Sequence, residues 1–145
     1  MISQSAEYAL RAAVWLAGHS EATLSTPEIA RRTMVPAGYL SKILQALARA
    51  GLVASTPGRA GGFILTRPAN RISVLDVINA VGQLPRIERC PLGKEAHEQH
   101  LCPLHKRLDQ VAAYAERVFA ETTLADLLRE SECSEVLCET VQCLT

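Results

Sequence analysis

Apolar residues recur at helical spacing from the start of the chain. Ala6, Ala9, Leu10, Ala13, Val14 and Ala17 share one face, which predicts an amphipathic helix over 5–18 ended by Gly18. Ser25-Thr26-Pro27-Glu28 opens a second, short helix. Ser25 can cap it, Glu28 can reach back to Ser25, and Pro27 is tolerated in a first turn. The helix runs through Ile29-Ala30-Arg31-Arg32, a turn follows at Thr33-Met34-Val35, and Pro36 opens a third helix. The inward stripe of that helix is Leu40, Ile43, Leu44 and Leu47, and Gly51 stops it.

The pattern then changes period. Leu52-Val53-Ala54-Ser55 and Gly62-Phe63-Ile64-Leu65-Thr66 flank the turn-rich Thr56-Pro57-Gly58-Arg59-Ala60-Gly61, which predicts a β-hairpin. Ser73 and Asp76 form a capping pair for a helix through Val81. Residues 83–103 hold Pro85, Pro91, Gly93 and Pro103 with weak periodicity and read as a loop. A loop of that length points to a functional or cofactor-bound segment. Beyond it, Leu104, Leu108, Val111, Ala115, Val118 and Thr122 form a heptad seam on a long helix. A helix with such a stripe must pack on something, and a second copy is the natural candidate. A short last helix covers about Thr123 to Arg129.

Four regions result: a helical and hairpin domain over 1–82, a loop over 83–103, a long helix with a short final helix over 104–129, and an acidic, cysteine-bearing tail over 130–145.

Composition narrows the class. Apolar residues make up 48% of the 145 residues and charged residues 21%, which excludes a disordered, collagen-like or low-complexity chain. No apolar run approaches the ~18 residues of a membrane span, and the N-terminus lacks the basic and apolar regions of a secretory signal. The expected location is therefore cytoplasmic, with no membrane partner. Net charge is zero, but it is unevenly spread. Residues 1–70 carry seven Lys/Arg against three Asp/Glu, net +4, and residues 71–145 carry eight against twelve, net −4. An anionic partner for the first half fits this asymmetry.

Helix, helix, turn, helix, hairpin is the order of a winged helix-turn-helix. The third helix carries Gly38, Ser41, Lys42, Gln45 and Arg49 opposite its apolar stripe, with no acid. Such a face suits phosphates and base edges. Lys42 and Gln45 can read bases, and Ser41 can serve base or phosphate. Arg59 stands at the hairpin tip among glycines, where a guanidinium can enter a minor groove. The expected fold is mainly α: a winged helix-turn-helix DNA-binding domain with a small β-hairpin wing and a long C-terminal dimerisation helix.

Several of these segments together resemble one family. They are Glu7-Tyr8-Ala9-Leu10-Arg11, Ile29-Ala30, Pro36 with Tyr39-Leu40, Leu44 with Leu47, Ala50-Gly51-Leu52-Val53, the wing Gly58-Arg59 with Gly61-Gly62-Phe63, and Ser73-Val74 with Asp76-Val77-Ile78. The set resembles the Rrf-two family of bacterial transcription regulators, which includes sensors of the IscR and NsrR type, over about residues 1–128. The resemblance implies a homodimer held by the long helix, and a palindromic operator in double-stranded DNA. It also implies an iron–sulfur cluster in the preceding loop that senses redox state, iron or nitric oxide. By the same resemblance, Tyr39 and Gly61 join the DNA-facing set.

The loop has the chemistry for a metal. Residues 90–105 hold Cys90, His97, His100, Cys102 and His105, two of the chain's five cysteines and three of its four histidines. In the family this loop commonly holds three cysteines and a histidine after the last. Cys90, Cys102 and His105 match the first, the last and the histidine. The middle cysteine is absent, with His97 nearest to its place and His100 a second option. Three ligand sets stand open. Cys90, His97, Cys102 and His105 can hold a [2Fe–2S] cluster, whose potential histidine ligation raises. The same four suit tetrahedral zinc. In the third set Glu7 from the partner subunit replaces one histidine, as an acidic residue does in relatives. A site that has lost its metal is a further alternative.

The tail cysteines Cys133, Cys138 and Cys143 are five apart, a spacing that would not put successive sulfurs on one face of a regular helix. His19, just after the first helix, reads as an exposed or capping residue. A redox enzyme is disfavoured because the sequence shows no nucleotide motif or general-base pair. A cluster-free or zinc-binding regulator controlled by a partner protein or by thiol oxidation is the alternative to a cluster sensor.

Overall fold

In the computed structural model, residues 1–93 and 100–130 are described. Among these residues, six helices and one hairpin follow the expected order: α1 (Gln4–Gly18), α2 (Thr26–Thr33), α3 (Ala37–Arg49), β1 (Val53–Thr56), β2 (Gly62–Leu65), α4 (Val74–Val81), α5 (Pro103–Glu121) and α6 (Leu124–Glu130), with a short turn of tighter helix at Ala69–Arg71 before α4. Among the described residues, no helix is long and apolar enough to cross a membrane.

The caps account for the helix starts. Ser3 accepts from Ala6 N–H at α1, and Ser25 accepts from Glu28 N–H at α2. Ser73 and Asp76 complete a reciprocal capping box at α4, each side chain bonded to the other's backbone N–H. α3 begins at Pro36 without a side-chain cap, and the chain reverses after it at Gly51, where φ is +74°.

α1 is the centre of the fold. Its predicted stripe is buried except for half-buried Leu10, but Ala12, Trp15 and Leu16 are buried too. The helix is enclosed over far more of its circumference than an amphipathic surface helix would be. α3 lies against it with Leu40, Leu44 and Leu47 at zero exposure, and α4 adds Val77 and Ile78.

The hairpin is antiparallel, pairing Val53 with Leu65 and Thr56 with Gly62. It is pinned to the segment before α2 by two backbone hydrogen bonds between Leu24 and Phe63, of 3.0 and 2.8 Å. This close approach explains Gly62, and the tight wing turn itself explains Gly61. A Cβ at Gly62 would collide with the Leu24 carbonyl, and one at Gly61 with the Thr56 carbonyl.

α5 and α6 part company. The end of α5 is stitched to the start of α4 through Val74 N–H to Thr122 O, 2.8 Å, and Leu124 N–H to Ile72 O, 3.0 Å. α6 then folds back onto α1 and fully buries Leu124. α5, by contrast, has nineteen residues and none of them is buried.

Candidate metal centre and nucleic-acid interface

Two separate places carry candidate chemistry. The first is the outer face of α3 with the wing. The apolar stripe that faces α1 leaves Gly38, Tyr39, Ser41, Lys42, Gln45 and Arg49 exposed. Ser41 spends its hydroxyl on the Ala37 carbonyl at 3.2 Å. Tyr39 stands edge-on to Tyr8 of α1, with ring centroids 6.0 Å apart. Arg59 is exposed at the wing tip, and Gly61, half-buried beside it, closes the turn. Lys42, Arg49 and Arg59 form no ion pair with any described residue. This surface has cations without local counter-charges, the condition a polyanion needs.

The second place is the loop that α5 terminates. Cys102 is the N-cap residue of α5, and Pro103 occupies the first helical position. His105 comes one turn into the helix and turns back over that cap. Its Nδ1 lies 3.0 Å from Cys102 Sγ and 3.6 Å from Cys90 Sγ. Cys90, arriving from the other side of the loop, brings the three donor atoms within 4.8 Å of one another. Neither cysteine is in a disulfide. Two thiols and an imidazole nitrogen form a soft to borderline donor set, which suits iron–sulfur chemistry or zinc and not magnesium or calcium.

Among the described residues, the remaining candidates do not join them. Among the described residues no fourth Cys, His or carboxylate lies within the same reach. His100 is exposed. His97 lies outside the described residues, as do Cys133, Cys138 and Cys143. Glu7 is on α1, where it accepts from Arg11 Nε at 3.1 Å. Glu7 and Arg11 line a groove of about 500 Å³ between α1, the end of α5 and α6, whose floor is Leu10, Val14, Val118, Phe119 and Leu127. Within one chain Glu7 is thus no part of the cysteine group. His19 takes the capping position after α1, its Nδ1 2.9 Å from the Trp15 carbonyl, its ring stacked on Trp15.

Sequence reasoning missed a cluster beside the loop. Arg86 pairs with Asp109 and Glu116 of α5. Hydrogen bonds from Arg86, then from the backbone N–H of Ile87, hold the Asp109 carboxyl down to about 2. Bonds to Asp109 and Glu116 raise the Arg86 guanidinium above its ordinary value. A depressed carboxyl stabilises the fold above the unfolded carboxylate range and loses that contribution as pH falls toward 2. The cluster is therefore closed at neutral pH. The only sequence signal for it was the spacing of His105, Asp109 and Glu116, which share a helical stripe.

Comparison with known proteins decides what this arrangement belongs to. The Rrf2 family model, described as an iron-dependent transcriptional regulator, matches residues 2–130. The chain belongs to the Rrf2 family. Among its relatives, an HTH-type transcriptional regulator of Mycobacterium tuberculosis is 35% identical over 128 residues, covering 87% of this chain and 80% of that protein. Among solved structures, T. potens IscR superposes with a TM-score of 0.74 at 28% identity, covering 91% of this chain and 88% of that one. CymR of B. subtilis, a global cysteine regulator, gives 0.76 at 25% identity, covering 91% and 98%. The chain is thus a transcription regulator of this DNA-binding family, with the winged-helix fold of IscR and CymR.

Proposed function

We propose that this Rrf2-family regulator acts as a homodimer on palindromic DNA, and that a metal centre at Cys90, Cys102 and His105 controls its binding. The observation that carries the reading is the convergence of two thiols and an imidazole within 4.8 Å at the start of α5. The same helix exposes its apolar seam, with Leu104 63%, Leu108 50%, Val111 64% and Val118 39% accessible. Apolar side chains in one row along a bare helix are the mark of an unfilled interface. A ligand held at one end of that helix is placed to change how two copies sit, and so the angle between their DNA-binding faces.

The DNA-reading set is Gly38, Tyr39, Ser41, Lys42, Gln45, Arg49, Arg59 and Gly61. Lys42, Arg49 and Arg59 neutralise phosphates, and Gln45 reads a base edge. Gly61 contributes by shaping the wing turn, given the collision a Cβ there would cause.

The donors fit an iron–sulfur cluster, most simply [2Fe–2S], and IscR and the family's iron-dependent description support that choice over zinc. Such a cluster, when bound, supplies a one-electron redox couple and a target for nitric oxide or iron loss. Cys90 and Cys102 hold it as thiolates and His105 through a ring nitrogen. The fourth position falls to His97 or to Glu7 of a second copy.

A second reading rests on the proximity of Cys90 and Cys102 alone. Two thiols this close can be oxidised to a disulfide, giving a metal-free thiol switch. Anaerobic purification separates the readings. Wild-type protein with iron, acid-labile sulfide and visible absorption, all lost in Cys90→Ala and Cys102→Ala, supports the cluster. Stoichiometric zinc in a colourless protein supports zinc, and metal-free protein whose DNA binding responds to oxidant supports the thiol switch. Full metal content in the Cys90→Ala, Cys102→Ala double variant would move the site to the tail cysteines. His97→Ala and Glu7→Ala then identify the fourth ligand, since only its loss changes the spectrum.

A further inference from the structure

Arg86 stands four residues before Cys90 and grips α5 with its whole guanidinium. Nε donates to Asp109 Oδ1 at 2.8 Å and Nη2 to Oδ2 at 2.9 Å, a two-pronged pair. Nη1 reaches Glu116 Oε2 at 2.5 Å. The next backbone N–H, of Ile87, adds a third bond to the Asp109 carboxylate at 3.0 Å. The Arg86 side chain is 37% accessible and that of Asp109 20%. Isolated surface pairs contribute little, but a bidentate pair reinforced by a main-chain donor fixes geometry as well as charge.

The placement of this clamp matches the candidate metal site. Asp109 lies one helical turn after His105, and Ile87 lies three residues before Cys90. The segment 86–90 therefore runs along α5 toward its N-terminus. It is tied at one end by Arg86 and Ile87 on Asp109, and meets His105 at the other through Cys90. His105, Asp109 and Glu116 each follow a seam position, Leu104, Leu108 and Ala115, by one residue. At about 100° per residue, the clamped face lies beside the apolar seam and not on it. The clamp can thus act while the seam is occupied.

We propose that Arg86 and Asp109 are positioning residues for the metal site: the clamp fixes the main chain at Ile87 so that the Cys90 thiol is held beside Cys102 and His105 before any metal arrives. The inference rests on the metal-site reading above for its purpose, though not for its geometry. Without the clamp, the main chain entering Cys90 loses its tie to α5, and any ordering it then needs on binding opposes ligation. Groups that orient ligands from outside typically change metal affinity by about 10- to 100-fold. Lysine can replace Arg86 only in part, because an ammonium keeps the charge but lacks the planar fork that engages both carboxylate oxygens.

The test reads positioning with and without metal, in the whole 145-residue chain with Cys133, Cys138 and Cys143 replaced by serine. First, metal-free protein is equilibrated in glutathione redox buffers. The Cys90–Cys102 disulfide fraction then gives the effective concentration of one thiol toward the other. Arg86→Gln and Asp109→Asn should each lower it about tenfold or more, with Arg86→Lys between them and wild type. Equal values in wild type and all three variants, with unchanged helical circular dichroism, would overturn the proposal. Second, cobalt(II) is titrated anaerobically and the thiolate-to-cobalt charge-transfer band is followed. Arg86→Gln should weaken binding by about 10- to 100-fold, and Arg86→Lys should recover part of the loss. Wild-type protein that forms no such band would overturn the metal reading instead, and the disulfide equilibrium would still judge the clamp. Unchanged cobalt affinity in Arg86→Gln and Asp109→Asn would leave the clamp without a role at the site.

Discussion

α3 buries its apolar stripe within its own chain, and α5 leaves its stripe in water. Leu40, Leu44 and Leu47 of α3 are fully enclosed, whereas Leu104, Leu108 and Val111 of α5 are at least half accessible. Both helices are amphipathic, so pattern alone does not separate them. The difference is what lies opposite. α1, with small alanines facing its neighbours, lets α3 approach closely and complete a core. Among the described residues, nothing buries Leu104, Leu108 or Val111 of the α5 seam. Where the apolar face is satisfied internally, the opposite face is available for a polar partner such as DNA. Where it is not, the apolar face itself calls for a partner.

Substitutions in each of the two helices break this comparison from opposite sides. Leu44→Ala removes packing from a site with no exposure, and should lower unfolding stability by about 2–5 kcal/mol. The loss should appear in chemical denaturation at every protein concentration. Val111→Glu or Val118→Glu should leave the fold of one chain intact and shift the protein to monomer or aggregate, since a carboxylate would enter an apolar interface. Sedimentation velocity reads this directly. Normal dimers in both variants would mean that the seam is not the interface.

The polar side of α3 sharpens the comparison with smaller effects. Replacing Gln45 should change preference among duplex sequences by about 1–3 kcal/mol, if it makes a bidentate base contact, measured by competition between single-base variants. Replacing Lys42 and Arg59 with Ala should weaken binding to all duplexes alike. The slope of log affinity against log salt should fall by about 0.9 for each phosphate no longer neutralised. Unchanged binding by the double variant at moderate salt would remove both residues from the interface.

Much of this was legible in the sequence because its signals are local. The caps at Ser25 and Ser73, the α3 stripe, the wing turn and the α5 seam depend on residues within a turn or two of one another. The near-complete enclosure of α1 was not legible. Ala12, Trp15 and Leu16 lie off the predicted face, and they are buried because α2, α3, α4, α6 and the hairpin close on α1 from several sides. The return of α6 onto α1 was hidden for the same reason. Residue type drew attention to the cysteines and histidines of 90–105, since few side chains bind metals, and the resemblance to the family singled out Cys90, Cys102 and His105. The Arg86 clamp was not, because an arginine and two acids more than twenty residues away carry no local pattern. Gly62 likewise reads as a turn residue, and its constraint comes from Leu24 across the fold.

In the proposed function, the loop at Cys90, Cys102 and His105 controls DNA binding through α5. The most direct test of this control is a binding titration by fluorescence anisotropy, on a duplex selected by the protein from a random library. Three samples are compared under anaerobic conditions: metal-loaded wild type, stripped wild type, and Cys90→Ala, Cys102→Ala. All three should be folded and dimeric, since the seam does not depend on the metal. The loaded protein should differ from the other two in affinity or in site preference, and the stripped protein and the double variant should agree. Identical affinity and preference in all three would mean that the loop does not control DNA binding.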